Sequence, residues 1–142
     1  MDQAILVKEQ VIAGQRLIES LRDKKLHLTG GCWAKLEDDG GWLLFLISPH
    51  VATQGVRQGY ALIQAALTEL GATTDAYERI HPLTVRLVSE DYPVAEGVLR
   101  LYRRHPDSVP TWHGGSSLGF MPIEGAYIYP AKLFAPLPAA AS

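Results

Sequence analysis

The sequence predicts an α+β domain: a two-layer sandwich with a mixed or antiparallel sheet of about five strands and three helices on one face. Three observations carry this expectation. Three segments repeat apolar residues at helical spacing, several short segments alternate or run apolar at strand length, and turn signals of glycine, proline and aspartate separate them. The expected order is helix, strand, strand, helix, strand, helix, strand, strand (αββαβαββ).

The first helix, expected from Gln3 to about Asp23, sets Val7, Val11, Gly14, Ile18 and Leu21 on one side and charged residues on the other. Residues 26–36 read as a strand, with Gly30-Gly31 marking a bulge. Asp39-Gly40 is a hairpin signal. Residues 42–48 are apolar at nearly every position, the pattern of a central strand covered on both faces. A second helix carries Val56, Tyr60, Ile63, Leu67 and Leu70 and stops at Gly71. After a polar loop, residues 83–88 alternate as a strand. The third helix has Asp91 as its cap, Pro93 in its first turn and Val94, Val98 and Leu101 as its stripe. Residues 107–117 read as loop, and 118–123 and 126–130 as a final hairpin across Glu124-Gly125. One globular domain spans 1–132, followed by a Pro/Ala-rich tail over 133–142.

The chain of 142 residues is long enough to bury a proper core. A net charge of -2 argues against a generic polyanion binder. A single cysteine, Cys32, excludes an internal disulfide and a thiolate metal cluster. The start is acidic and lacks a signal-peptide core, and the longest apolar run, 42–47, is far short of a membrane span. The expectation is a soluble cytoplasmic protein with no cofactor and no metal.

Side chains alternate across a strand. If the small and aliphatic sets (Cys32, Ala34, Leu83, Val85, Leu87, Ala126, Ile128) face the helices, then Trp33, Lys35, Arg86, Tyr127 and Tyr129 share the other side. Protein interfaces are enriched in Tyr, Trp and Arg, so this aromatic face is the expected binding surface. Either a partner or the C-terminal tail would cover it.

The segment 110–130, PTWHGGSSLGFMPIEGAYIYP, resembles a family of small bacterial proteins known only as hypothetical. The resemblance rests on the ending Ile123-Glu124-Gly125-Ala126-Tyr127-Ile128-Tyr129-Pro130 and on the hairpin of residues 33–49. It departs from the family pattern at Phe120 and Gly125. The resemblance implies a bacterial domain and carries no activity and no site residue.

The candidate chemistry is sparse. Gly115-Ser116-Ser117-Leu118-Gly119 satisfies the nucleophile pattern G-x-S-x-G, with His113 as a candidate base and Asp107 as its orienter, but no helix is expected to follow Ser117. His27, His50, His81, His105 and His113 are scattered without ligand spacing. Ser48, His50 and Thr53 lie between a strand end and a helix start, where free amides can hold an anion. Capping by Thr53 accounts for the same residues. Arg100, Arg103, Arg104 and His105 end the third helix, as the helix dipole favours, with Glu90, Asp91, Glu96 and Asp107 diluting their charge.

The favoured expectation is a non-catalytic protein-interaction or accessory module, a homo-oligomer or a protein's partner, using the aromatic sheet face. One alternative is a nucleic-acid binder using that face with Arg86, Arg100, Arg103 and Arg104. The other is a small hydrolase or ligand-binding enzyme around His113 and Ser117.

Overall fold

Strand β2, Trp42–Ile47, decides the architecture, because five successive residues from Leu43 to Ile47 are buried. A strand buried on both sides needs cover on both sides. The computed structural model describes residues 8–36, 41–73, 84–104, 111–114, 117–118 and 121–134. In it the helices occupy both faces of the sheet, so the expectation of three helices on one face is corrected to three layers.

Helix α1 spans Lys8–Asp23 and β1 spans Gly30–Leu36. After β2 come the single turn α2, Val51–Gln54, the long α3, Arg57–Thr73, and β3, Val85–Val88. Helix α4 covers Pro93–Arg104, and β4, β5 and β6 cover Thr111–Gly114, Ser117–Leu118 and Met121–Ile128. A 3-10 turn follows over Ala131–Phe134. The described strands run in the order β3-β2-β1-β6-β4, with β5 also on β6. Strands β2 and β3 are parallel and every other pairing is antiparallel, so the α+β class and the mixed sheet are observed. Among the described residues no helix is long and apolar enough to cross a membrane.

One face carries Trp33, Leu44, Leu46, Val85, Leu87, Tyr127 and Tyr129 against Leu17, Ile18 and Leu21 of α1 and Ile63 and Leu67 of α3. The other carries Cys32, Ala34, Phe45, Ala126 and Ile128 against Val94, Ala95 and Val98 of α4. Each fully buried aliphatic side chain contributes about 1.5–3 kcal/mol, so the aromatic face is the larger of two cores.

The final strands differ from the expected hairpin. Residues 121–128 form one strand, and Thr111–Gly114, expected as loop, is a strand pairing with it. Glycine 125 suggested a turn, but its neighbour marks a bulge. Lys35 pairs with Gly125 while the next residue, Leu36, pairs with Ile123, leaving Glu124 unopposed. Conversely, Gly30 and Gly31 hold regular register with Ile47 and Leu46. Their glycines admit close neighbours: a Cβ on Gly30 would press on Tyr102, and one on Gly31 on Phe134. Phe134 is buried and stacks on Tyr102 at 6.2 Å, and Arg22 Nη1 donates to the Leu133 carbonyl at 3.0 Å. The folded body therefore includes Leu133 and Phe134, which the sequence assigned to the tail. The expected hairpin tip at 37–40 and the tail beyond 134 lie outside the described residues.

Two aromatic groups tie the layers together. Trp33 Nε1 donates to Tyr129 Oη at 3.0 Å, and Tyr129 Oη donates to the Val11 carbonyl at 2.6 Å. The hydroxyl reaches the helix backbone because residue 14 is glycine. A Cβ there would lie inside contact distance of Tyr129 Oη. Gly14→Ala is expected to destabilise the fold, since overpacking and broken hydrogen bonds cost about 2–4 kcal/mol against a helix-propensity gain of about 1 kcal/mol. Tyr129→Phe strands the buried Trp33 N–H and is expected to cost about 1–3 kcal/mol. Urea unfolding followed by Trp fluorescence reads both; unchanged midpoints would refute the coupling.

Candidate functional site

The expected aromatic binding face is overturned. Trp33 is 0% exposed, Tyr129 1%, Lys35 8% and Tyr127 9%. Helices α1 and α3 of the same chain cover that face. The physical reason is that Trp and Tyr are core residues whenever their polar tips find partners, which the Trp33–Tyr129–Val11 chain supplies. The rings of Tyr127 and Tyr129 also meet edge to face, 5.2 Å apart. Arg86 is exposed but pairs with Phe45, so it lies on the α4 side of the sheet, opposite Trp33.

The other sequence candidates are not assembled either. Arg100, Arg103 and Arg104 are exposed at the end of α4. Arg103 lines an open groove with Glu90, Asp91 and Glu96, so carboxylates face the cation a polyanion would need. Ser117 opens the two-residue strand β5 against β6, with two residues between them. The strand-to-helix elbow of a G-x-S-x-G nucleophile is therefore not formed. His113 lies on β4 opposite Ala126. Asp107, His81 and His105 lie outside the described residues. Among the described residues no group of three potential ligands could hold a metal ion.

Cys32 is fully buried beneath α4, and burial pushes its thiol from 9.0 up to about 12. Burial likewise raises the hydroxyls of Tyr102 and Tyr129 above their ordinary 10.0. None of the three is poised to react.

What the structure does build is a cleft of about 410 Å³ at the carboxyl edge of the parallel pair. Strand β2 ends at Ile47, and the ladder extends one residue through Ser48 N–H to the Val88 carbonyl at 3.0 Å. Strand β1 runs the opposite way, so the segment entering it, from Lys24 to His27, reaches the same edge. The first turns of α3 supply Gln58 and Leu62, and α2 supplies Gln54. Leu26, Leu62 and Leu87 give apolar wall, while Lys24, Lys25, His27, Ser48, His50, Gln54 and Gln58 give polar wall.

The local geometry of these residues follows from two chain reversals. Ser48 is buried, and its Oγ accepts the His50 N–H at 3.2 Å, which turns the chain out of β2. Thr53 does not cap the helix: its hydroxyl donates back to the His50 carbonyl at 3.4 Å, and His50 occupies the cap position without a side-chain bond. The His50 ring meets that of His27 with centroids 5.3 Å apart. The second reversal ends α1. Leu26 N–H returns to the Leu21 carbonyl and Lys25 N–H to the Arg22 carbonyl, both at 3.0 Å. That is the bond pattern of a Schellman cap, whose left-handed position usually holds glycine. Here it holds Lys25 with φ 68°.

Lys24 and Lys25 differ in commitment. Lys24 Nζ bonds Glu69 Oε2 of α3 at 2.7 Å. Lys25 is exposed and has no ion-pair partner among the described residues. No carboxylate appears among the described lining residues of the cleft. No protein-family model matches the chain, no curated protein is significantly similar in sequence, and no solved structure is significantly similar in fold. The site therefore stands on its own geometry.

Sequence reasoning reached Ser48 and His50, named His27 only as one of the scattered histidines, and missed Lys24 and Lys25. The available signal was the helix end Asp23-Lys24-Lys25-Leu26, where a reversal is required and glycine is missing.

Lys25→Gly is expected to raise stability by about 0.5–1 kcal/mol. The left-handed penalty of about 1–2 kcal/mol exceeds the chain-entropy cost of about 0.4–1 kcal/mol. Thermal unfolding reads this, and a lowered melting temperature would contradict it. Alkali provides a second check. The folded state holds the Cys32 proton more tightly than the unfolded chain does, so stability is intact below pH 9 and falls progressively between pH 9 and about 12. The tyrosines add to the loss in the same direction. Urea midpoints that do not fall across this range would refute it, as would a Cys32 that reacts with a disulfide reagent in the native state.

Proposed function

We propose that this chain is a small-ligand-binding domain whose site is the cleft at the carboxyl edge of β2 and β3. The observation that carries the reading is the cleft itself: about 410 Å³, with converging polar side chains over apolar wall. Ligand sites are typically concavities of about 300–1,000 Å³ with a few placed polar groups. In sheets with parallel strands they favour the crevice outside the carboxyl ends. The parallel pair here is joined through α2 and α3, which bring Gln54 and Gln58 to that crevice.

This reading keeps the accessory-module idea and replaces the partner. The recognised partner is a small molecule, and the recognising surface is a strand edge instead of an aromatic sheet face.

An amide-resolved NMR titration with a panel of neutral, anionic and cationic metabolites tests it. The expected result is a set of shifts confined to Lys25, His27, His50, Gln54 and Gln58, abolished by Gln58→Trp, which fills the cleft from an exposed helix position. A panel in which no compound perturbs these amides at millimolar concentration would end the proposal.

A further inference from the structure

The geometry points to an oxyanion as the group that this cleft receives, with the Lys25 ammonium as its principal contact; the inference rests on the binding reading above and adds the ligand's chemical class. Three independent observations converge on it.

The first is charge. Lys24, Lys25 and two imidazoles face the cleft, with no carboxylate among its described lining residues. With Lys24 paired to Glu69, Lys25 leaves a positive excess among the described lining residues, and a concave wall of one charge sign concentrates ions of the other.

The second is the division of labour between the lysines. Glu69 holds Lys24 against α3, so that ammonium is already compensated. Lys25, exposed and without an ion-pair partner among the described residues, lines the same cleft as His27 and His50, whose imidazoles carry N–H donors. An ammonium with neighbouring N–H donors is the donor set that phosphoryl and carboxylate oxygens accept from.

The third is backbone strain. Lys25 holds a left-handed conformation in a cap where glycine would be unstrained. A side chain retained at a strained position, lining a cavity, is an outlier of the kind that marks ligand contacts. The cap needs no side chain at this residue, because its bonds come from the Lys25 and Leu26 amides. What a lysine adds there is its ammonium.

The test is isothermal titration of the intact protein with inorganic phosphate, succinate and glycerol, repeated on Lys25→Gly and Lys25→Arg. Phosphate, succinate or both should bind, and whichever binds more tightly assigns the group as phosphoryl or carboxylate. Lys25→Gly should lose about tenfold to a hundredfold in affinity, the value of one charge-assisted bond, while its melting temperature rises. Lys25→Arg should recover most of the affinity. The paired readout separates lost contact from lost fold, since the weakened variant is the more stable one.

Glycerol or another uncharged compound binding the cleft while neither anion does would overturn the oxyanion assignment and leave the binding reading standing. Undiminished anion affinity in Lys25→Gly would overturn the role of Lys25. Absence of binding by charged and uncharged compounds alike would remove both the assignment and the reading on which it rests.

Discussion

The structure depends on one buried polar chain. Trp33, Tyr129 and the Val11 carbonyl link β1, the segment after β6 and α1 through two hydrogen bonds in the middle of an apolar core. An unpaired indole N–H or phenol O–H in that position would cost about twice what its bond contributes. The pairing is therefore a constraint on geometry more than a source of energy. It fixes how far α1 stands from the sheet, and that distance is short only because position 14 lacks a side chain. The second phenol, Tyr102, repeats the device from the other layer by donating to the Tyr129 carbonyl at 2.6 Å. Tyr129 thus receives one hydroxyl on its backbone and places its own on a helix, so both helical layers are referenced to a single residue.

Much of this was legible from residues, and the failure is instructive. The unbroken apolar run of β2 already demands cover on both faces, which a two-layer sandwich cannot give. The alternation within β1 and within β6 is legible too, since Trp33 and Tyr127 do share one face and Ala34 and Ala126 the other. The misjudgement lay in leaving one face open, when helices cover both. Aromatic residues with polar tips look like surface in a one-dimensional pattern because their partners are distant in sequence. Tyr129 and Val11 are 118 positions apart. Likewise Glu124-Gly125 carries the composition of a turn, and only pairing with β1 reveals a bulge.

The cleft was harder to see for a related reason. Its walls come from three separate segments, 24–27, 48–62 and Leu87, that are brought together by one antiparallel and one parallel strand junction. No motif spans it. Ser48 and His50 follow a strand end, which sequence reasoning can find; Lys25 announces itself only through a φ value that a sequence does not print. The site and scaffold are also separable. The edge of the cleft has exposed lysine, histidine and glutamine side chains, while the tie between layers is buried within the core beneath α1.

The closing contacts carry a consequence for how the chain is made. Strand β1 sits between β2 and β6, so one of its two edges stays open until the last described strand exists. The same holds for α1, whose Val11 carbonyl and Arg22 guanidinium both await residues beyond position 128. At a synthesis rate of about 5–20 residues per second, the wait between Val11 and Tyr129 is on the order of ten seconds. During that interval the nascent polypeptide presents an unfinished sheet margin and apolar helix surface that lacks part of its cover, features that make a chain prone to aggregate. The sheet and α1 are therefore completed only once Tyr129 exists, and the duration of that exposure is set by how far Tyr129 lies from Val11 along the chain.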